Sequence, residues 1–277
     1  MTGVTFKKTA VVGWPIKHSK SPLIHGYWIK QFAIDGSYEA IAIRPDDFVT
    51  GIKELISSGF RGCNVTIPHK EAALEMADYS SDRARAIGAA NTLVFKDGKV
   101  QADNTDGIGF INNVKQGAPS WDASQGPALV IGAGGAARAI IYALLQGGTP
   151  KIIIANRTAE NARRLAMFFG DKVQTISMAD VPGIIGDVQT LVNTTSLGMV
   201  GQPDLEIDIS RLPKTALVTD IVYNPLTTGL LSQAQALGLK TVDGLGMLLH
   251  QAVPGFEAWF GVRPTVDATL RQIVLAG

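Results

Sequence analysis

The apolar run Ala128-Leu129-Val130-Ile131 passes directly into Gly132-Ala133-Gly134-Gly135-Ala136-Ala137 and then into a helix-patterned stretch ending near Gln146. A strand, a tight glycine loop and a helix in that order read as the first βα unit of a nucleotide-binding α/β sheet. Gly132 permits the sharp turn. Gly134 leaves room for backbone to approach a pyrophosphate, and Ala137 is small enough for close packing of helix on sheet. Phosphates seated there, against the loop Gly132 to Ala136, would meet the positive end of a helix. A plain strand-to-helix turn satisfies the same spacing, so the loop alone makes this a candidate site and no more.

The next strand sharpens the reading. Lys151 to Ala155 is β-rich and ends in Asn156-Arg157-Thr158, where an NAD site carries an acidic residue for the ribose 2′-hydroxyl. A guanidinium stands there instead, suited to fork onto a 2′-phosphate, so NADP is preferred over NAD. The plainer alternative is a solvated arginine beside Thr158, the N-cap of the following helix.

With 277 residues the chain is long enough for two cores. Its 25 basic and 24 acidic residues leave a net charge of +1 with no basic run, which gives no electrostatic footprint for nucleic acid or an anionic membrane. A small-molecule partner is expected. The lone cysteine, Cys63, excludes an intramolecular disulfide and a cysteine-based metal cluster and fits a reducing cytoplasm. The four histidines, His18, His25, His69 and His250, lie without carboxylates or cysteines at ligand spacing, so no metal site is expected. No signal peptide or membrane span is read from the sequence.

From the start, strands near Thr9 to Val12, Tyr38 to Ile43 and Gly62 to Val65 alternate with helices at Pro22 to Phe32 and Pro45 to Ile56. Short helices around Glu71 to Met76 and Asp82 to Ile87 precede a hairpin, Thr92 to Phe95 and Val100 to Ala102, turning at Asp97-Gly98 and expected at the sheet's edge. A helix from about Gly107 leads to a polar connection at Gln116 to Pro127. The second unit continues with strands at Val173, Thr190, Leu217 and Lys240, a largely parallel pattern. The helical tail, Gly246 to Phe260 and Thr265 to Leu275, can close the second domain or pack back on the first; periodicity does not choose.

Polar clusters collect at predicted strand ends, where open α/β sheets bind ligands. Asn64-Val65-Thr66-Ile67-Pro68-His69-Lys70 ends with a lysine opening a helix, an unfavourable place for a cation unless it has a task. Asn91-Thr92 and Asn104-Thr105-Asp106-Gly107 flank the hairpin; they can converge on one cleft or merely cap local turns. His18-Ser19-Lys20-Ser21-Pro22 reads as an N-cap serine followed by proline, a helix start that also suits an anion.

Taken together, the HSKSP serines, NVTIPHK, GAANT, NTDG, GAGGAAR, NRT, NTTSLGM, YNP and DGLGMLLHQA, in this order over nearly the whole chain, resemble the shikimate dehydrogenase family. The resemblance implies reversible NADPH-dependent reduction of 3-dehydroshikimate to shikimate in aromatic amino-acid biosynthesis, by a monomer or homodimer. It implies Lys70 and Asp106 as the catalytic pair, Ser19 and Ser21 on the substrate carboxylate, and Thr66, Asn91, Tyr223 and Gln251 on the ring hydroxyls. Gly132, Ala133, Gly134, Gly135, Ala136, Asn156, Arg157 and Thr158 would hold the cofactor, with Ile221 and Gly244 at its nicotinamide end and Asp82 near it. The implied fold is two-domain α/β: a discontinuous substrate-binding domain, residues 1–106 plus 244–277, a Rossmann-type NADP domain, 107–243, and the active cleft between them. A quinate/shikimate dehydrogenase is the nearer alternative, and a non-catalytic sensor of NADP or a shikimate-like ligand the remoter one.

Overall fold

The computed structural model describes residues 6–277. Its strands are β1 (Lys7–Gly13), β2 (Gly36–Ala42), β3 (Phe60–Val65), β4 (Tyr79–Ser80), β5 (Thr92–Lys96), β6 (Lys99–Asp103), β7 (Ala128–Ile131), β8 (Ile152–Ala155), β9 (Val173–Ile176), β10 (Thr190–Asn193), β11 (Leu217–Asp220) and β12 (Lys240–Val242). The helices are α1 (Ser21–Gln31), α2 (Phe48–Ser57), α3 (Lys70–Glu75), α4 (Asp82–Ile87), α5 (Asp106–Gly117), α6 (Gly135–Gln146), α7 (Ala159–Phe169), α8 (Val181–Ile184), α9 (Gly229–Ala236), α10 (Leu245–Phe260) and α11 (Ala268–Ala276). The chain divides into two compact units, one running to Thr105 and resuming at Leu249–Gly277, the other Asp106–Leu248.

The first unit is built on a sheet of order β2-β1-β3-β5-β6-β4. Strands β1, β2 and β3 are parallel, and β5 and β6 form an antiparallel hairpin against β3. Both central residues of its turn, Asp97 and Gly98, have positive φ (52° and 72°), the geometry that matches the twist of two paired strands. The hairpin is not the edge expected from the sequence: the two-residue β4 pairs outside it with β6, a strand too short to leave a periodicity signal.

Alternation along the strands sends Ala10, Val12, Cys63 and Val65 to one face, where Phe48, Ile52 and Leu55 of α2 cover them. The other face meets an aromatic cluster of His25 and Trp28 from α1, Tyr38 from β2, and Phe256 and Trp259 from α10. The tail is pinned here by two indole hydrogen bonds, Trp259 Nε1 donating to the Leu93 carbonyl at 2.9 Å and Trp28 Nε1 to that of Thr265 at 3.2 Å. Gly62 is required beneath this contact: a Cβ there would lie 2.2 Å from both the Leu93 oxygen and Trp259 Nε1.

The second unit carries a wholly parallel sheet of order β12-β11-β10-β7-β8-β9. Numbered from β7 this is 3-2-1-4-5-6, so the sheet reverses direction of winding between β7 and β10, the place where such sheets bind dinucleotides. Val130, Ile152 and Ile154 pack on one face with Ile140 and Leu144 of α6. Leu129, Ile131 and Ile153 pack on the other with Val181, Leu230 and Leu231. Burial on both faces explains why these strands read as continuous apolar runs.

Candidate active site

In the first unit, β1, β2 and β3 end together, and the register Asn64↔Thr92↔Asp103 carries the same edge across the hairpin. Asn91 is the hub of that edge. Its Nδ2 donates to Thr105 Oγ1 at 3.0 Å and to Gln251 Oε1 at 3.2 Å, and its Oδ1 accepts from the Thr105 N–H at 2.9 Å. Thr105 Oγ1 also reaches the Gln251 carbonyl at 2.8 Å. Asn64 completes the group, its Nδ2 donating to the Asn91 carbonyl (3.2 Å) and to Thr92 Oγ1 (3.3 Å). All five side chains are buried, where an unsatisfied polar group is costly, so each fixes the orientation of the next.

Lys70 is the first residue of α3 and is half-buried. The buried His69 before it holds the helix start in place, its Nε2 2.8 Å from the Ile43 carbonyl and its ring stacked on Phe48 at 4.6 Å. The Lys70 carbonyl accepts from the N–H of Ala90, next to Asn91, at 2.8 Å. Asp106 is buried as the first residue of α5, where a carboxylate complements the helix's positive end. The approach to it is braced: Ser81 Oγ and Arg83 Nε both donate to Asp103 Oδ1 at 2.6 Å, and Asn104 Nδ2 to the Ala89 carbonyl at 3.0 Å. Thr66 is half-buried just past β3.

The serine pair is arranged differently from the sequence expectation. Lys20, not Ser21, is the N-cap of α1, and its side chain makes no capping bond. The chain has already turned helical at Lys20 (φ −83°, ψ −6°), which puts Ser21 inside the first turn and buries it. The half-buried Ser19 accepts the Ser21 N–H on Oγ at 3.3 Å. Asp82 is exposed and paired with Arg85 on its own helix.

In the second unit Gly132 has φ 111°, and a Cβ would lie 2.6 Å from Thr194 Oγ1, so only glycine fits. Thr194 in turn donates its Oγ1 to the Ile131 carbonyl at 2.7 Å, seating the NTTSLGM segment on the end of β7. A Cβ on Gly134 or Gly135 would meet nothing within 4 Å, so the mouth of α6 is open. Ala133 and Ala136 beside them are half-buried. Asn156 Nδ2 donates to the Thr158 carbonyl at 2.8 Å and shapes the turn after β8. Thr158 caps α7 without a side-chain bond, and Arg157 projects exposed beside it. An open glycine loop on a helix start, with a guanidinium and no carboxylate at the end of the neighbouring strand, fits a dinucleotide carrying a 2′-phosphate. Ile221 and Gly244 are packed together: a Cβ on Gly244 would lie 2.3 Å from the Ile221 carbonyl oxygen. Tyr223 is half-buried, and burial raises its phenol above the usual range.

Sequence reasoning assigned no role to Asp220. Buried at the end of β11, it accepts from Asn193 Nδ2 (3.0 and 3.1 Å), Thr228 Oγ1 (2.8 Å) and the Val222 N–H (2.9 Å). Burial raises its carboxyl above the ordinary range, and these donors offset the shift only in part. The signal for it was an acid closing the apolar run Ala216 to Val218. Among the described residues no three His, Cys, Asp or Glu side chains group as a metal site, and no helix is long and apolar enough to cross a membrane.

A mixed α/β chain with a doubly wound parallel sheet, a glycine loop at its switch point and a polar cluster on a second sheet belongs to the dinucleotide-dependent oxidoreductases by architecture. Three family models sharpen this: the shikimate dehydrogenase substrate binding domain matches residues 11–93, shikimate / quinate 5-dehydrogenase 114–226, and the shikimate 5′-dehydrogenase C-terminal domain 244–273. The chain belongs to the shikimate dehydrogenase family. It is 53% identical over 267 residues to a shikimate dehydrogenase (NADP(+)) of Cereibacter sphaeroides, covering 96% of each chain. Among solved structures it is similar to shikimate 5-dehydrogenase of Thermus thermophilus in complex with NADP(H) and shikimate (34% identity, TM-score 0.86, 98% and 99% coverage). It is also similar to quinate dehydrogenase of Corynebacterium glutamicum in complex with NAD (30% identity, TM-score 0.91, 98% and 99% coverage).

Proposed function

We propose that this chain reduces 3-dehydroshikimate to shikimate, reversibly and with NADPH. The observation that carries the reading is the position of Asn91: its neighbour Ala90 is bonded to the Lys70 backbone, and its side chain to Thr105, the residue before Asp106. The Ala90–Asn91 segment therefore bonds the backbone of Lys70, the Thr105 that precedes Asp106, and the amide of Gln251. A protein that only sensed the ligand would have no use for both members of an acid–base pair.

When bound, NADPH would supply a hydride for the ring carbonyl carbon. Lys70 and Asp106 are the acid–base residues of this reading: Lys70 gives a proton to the carbonyl oxygen as it becomes an alkoxide, and takes it back in the oxidation. Ser19 and Ser21 receive the substrate carboxylate, while Thr66, Asn91, Tyr223 and Gln251 hold the ring hydroxyls. Gly132 to Ala136 would hold the pyrophosphate, Asn156, Arg157 and Thr158 the phosphorylated ribose, and Ile221 with Gly244 the nicotinamide. In this reading residues 1–106 with 244–277 are the substrate domain and 107–243 the NADP domain, and the enzyme works in the cytoplasm as a monomer or homodimer.

The likeness to a quinate dehydrogenase gives the second reading its ground. Steady-state oxidation of shikimate and quinate, each with NADP and with NAD, separates the two. Higher kcat/KM for shikimate with NADP than for the other three pairs is expected; a preference for quinate or NAD overturns the assignment.

A further inference from the structure

We propose that Tyr38 is a positioning residue of the substrate site, its phenol hydroxyl holding Asn64 in place and, through Asn64, bracing the Asn91–Thr105–Gln251 cluster. Tyr38 lies on β2 and Asn64 on β3, with β1 between them in the sheet. Tyr38 is paired with Thr9, and Asn64 with Val11, two residues farther along the same face. The phenol therefore crosses a whole strand to donate to Asn64 Oδ1 at 2.6 Å.

The Asn91 carbonyl can only accept, so Asn64 turns its Nδ2 towards it and leaves Oδ1 for the phenol. The same Nδ2 faces Thr92 Oγ1. Thr92 Oγ1 donates to Asn91 Oδ1 at 3.0 Å, and Asn91 Nδ2 to Gln251 Oε1. The Thr105 N–H independently fixes Asn91 Oδ1 as acceptor, so what the phenol adds is a third anchor on Asn64, which keeps its Nδ2 against the Asn91 carbonyl and Thr92 Oγ1. The ring itself is clamped: it stacks on His25 at 3.9 Å with the planes 3° from parallel. Burial raises the phenol well above its ordinary range, and the Ser21 side chain of α1 opposes that rise. Tyr38 thus stands between the serine assigned to the carboxylate and the amides assigned to the ring hydroxyls.

The inference rests on the substrate assignment above, and the wild-type arm of the test separates the two. Shikimate and NADP kinetics are measured for wild type, Tyr38→Phe, Ser21→Ala and the double variant, with thermal melts. Tyr38→Phe keeps the stack on His25 and loses one hydrogen bond, so the shikimate KM should rise roughly five- to tenfold while the NADP KM stays within about twofold. The double variant should lose less than the product of the single losses. Should Tyr38→Phe fail to fold, Asn64→Asp carries the test: it still accepts from Tyr38 but cannot donate to Asn91 or Thr92, and should show the same selective rise. A folded Tyr38→Phe with wild-type shikimate KM, an equal rise in both constants, or strictly additive losses overturns the role of Tyr38. A wild type that does not oxidise shikimate overturns the substrate assignment itself, and this inference with it.

Discussion

The imidazole of His25 lies flat on the phenol ring of Tyr38, with centroids 3.9 Å apart and planes within 3° of parallel. Trp28, Phe256 and Trp259 close around the same histidine. It is fully buried, and neither ring nitrogen has a hydrogen-bond partner among the described residues. Burial lowers its pKa to about 3, with the nearby Asn64 amide opposing the shift in part.

A neutral imidazole in the folded state and a chargeable one in the unfolded state make stability depend on pH. Between about 6.5 and about 3 the unfolded chain binds one proton more than the folded one at this site. Stability should therefore fall as pH drops through that window, by up to about 1.4 kcal/mol per unit from His25. His25→Phe keeps the aromatic stack and should flatten this part of the profile. Urea melts of both proteins from pH 7 to 4 check it; parallel profiles would show that His25 does not titrate on unfolding.

Arg157→Asp should reverse the cofactor preference. It removes a charged fork from the end of β8 and puts there the acid that suits an unphosphorylated ribose. The NADP KM should rise by roughly ten- to a hundredfold, the size of a hydrogen bond to a charged group, with a small change or a gain for NAD. Equal effects on both cofactors would remove Arg157 from the discrimination.

Lys70→Ala should cut turnover by at least about 10² to 10⁴, the range of a placed general acid–base group, and affect shikimate binding far less. Asp106→Asn should also slow turnover, and the double variant should lose less than the product of the two losses if they act as a unit. Single-turnover rates and shikimate dissociation constants measure both. Near-normal turnover in a folded Lys70→Ala that still binds NADP would exclude Lys70 from proton transfer.

Gly62→Ala should destabilise the first unit without touching the dinucleotide site. The new methyl would sit 2.2 Å from the Leu93 oxygen and Trp259 Nε1, which bond each other at 2.9 Å. Overpacking together with loss of that bond should cost at least about 2 kcal/mol. Calorimetry would show a lowered Tm, with NADP affinity unchanged; a wild-type Tm would mean the backbone relaxes freely there.

What the chain determines locally was legible in its letters. The run from Ala128 to Gln146 carries strand, loop and helix in neighbouring residues, and Asp97-Gly98 supplies both positive-φ positions of the hairpin turn. Lys70 opening α3 and Arg157 closing the β8 turn are likewise local facts. Such features follow from backbone preference and side-chain period within a few residues, so no tertiary contact is needed to see them.

The remainder depended on where elements pack. Periodicity left open which sheet the C-terminal helices cover, and the indole bonds from Trp28 and Trp259 decide for the first. The serine pattern suggested a cap at Ser21, yet the turn begins one residue earlier and buries that hydroxyl. Asn91 meets Gln251 across 160 positions of sequence, Tyr38 reaches Asn64 over an intervening strand, and Asp220 collects donors from two other segments. A buried polar group must find its partners wherever folding brings them, and that search is settled by the packing of whole sheets and helices, which no short stretch of sequence encodes.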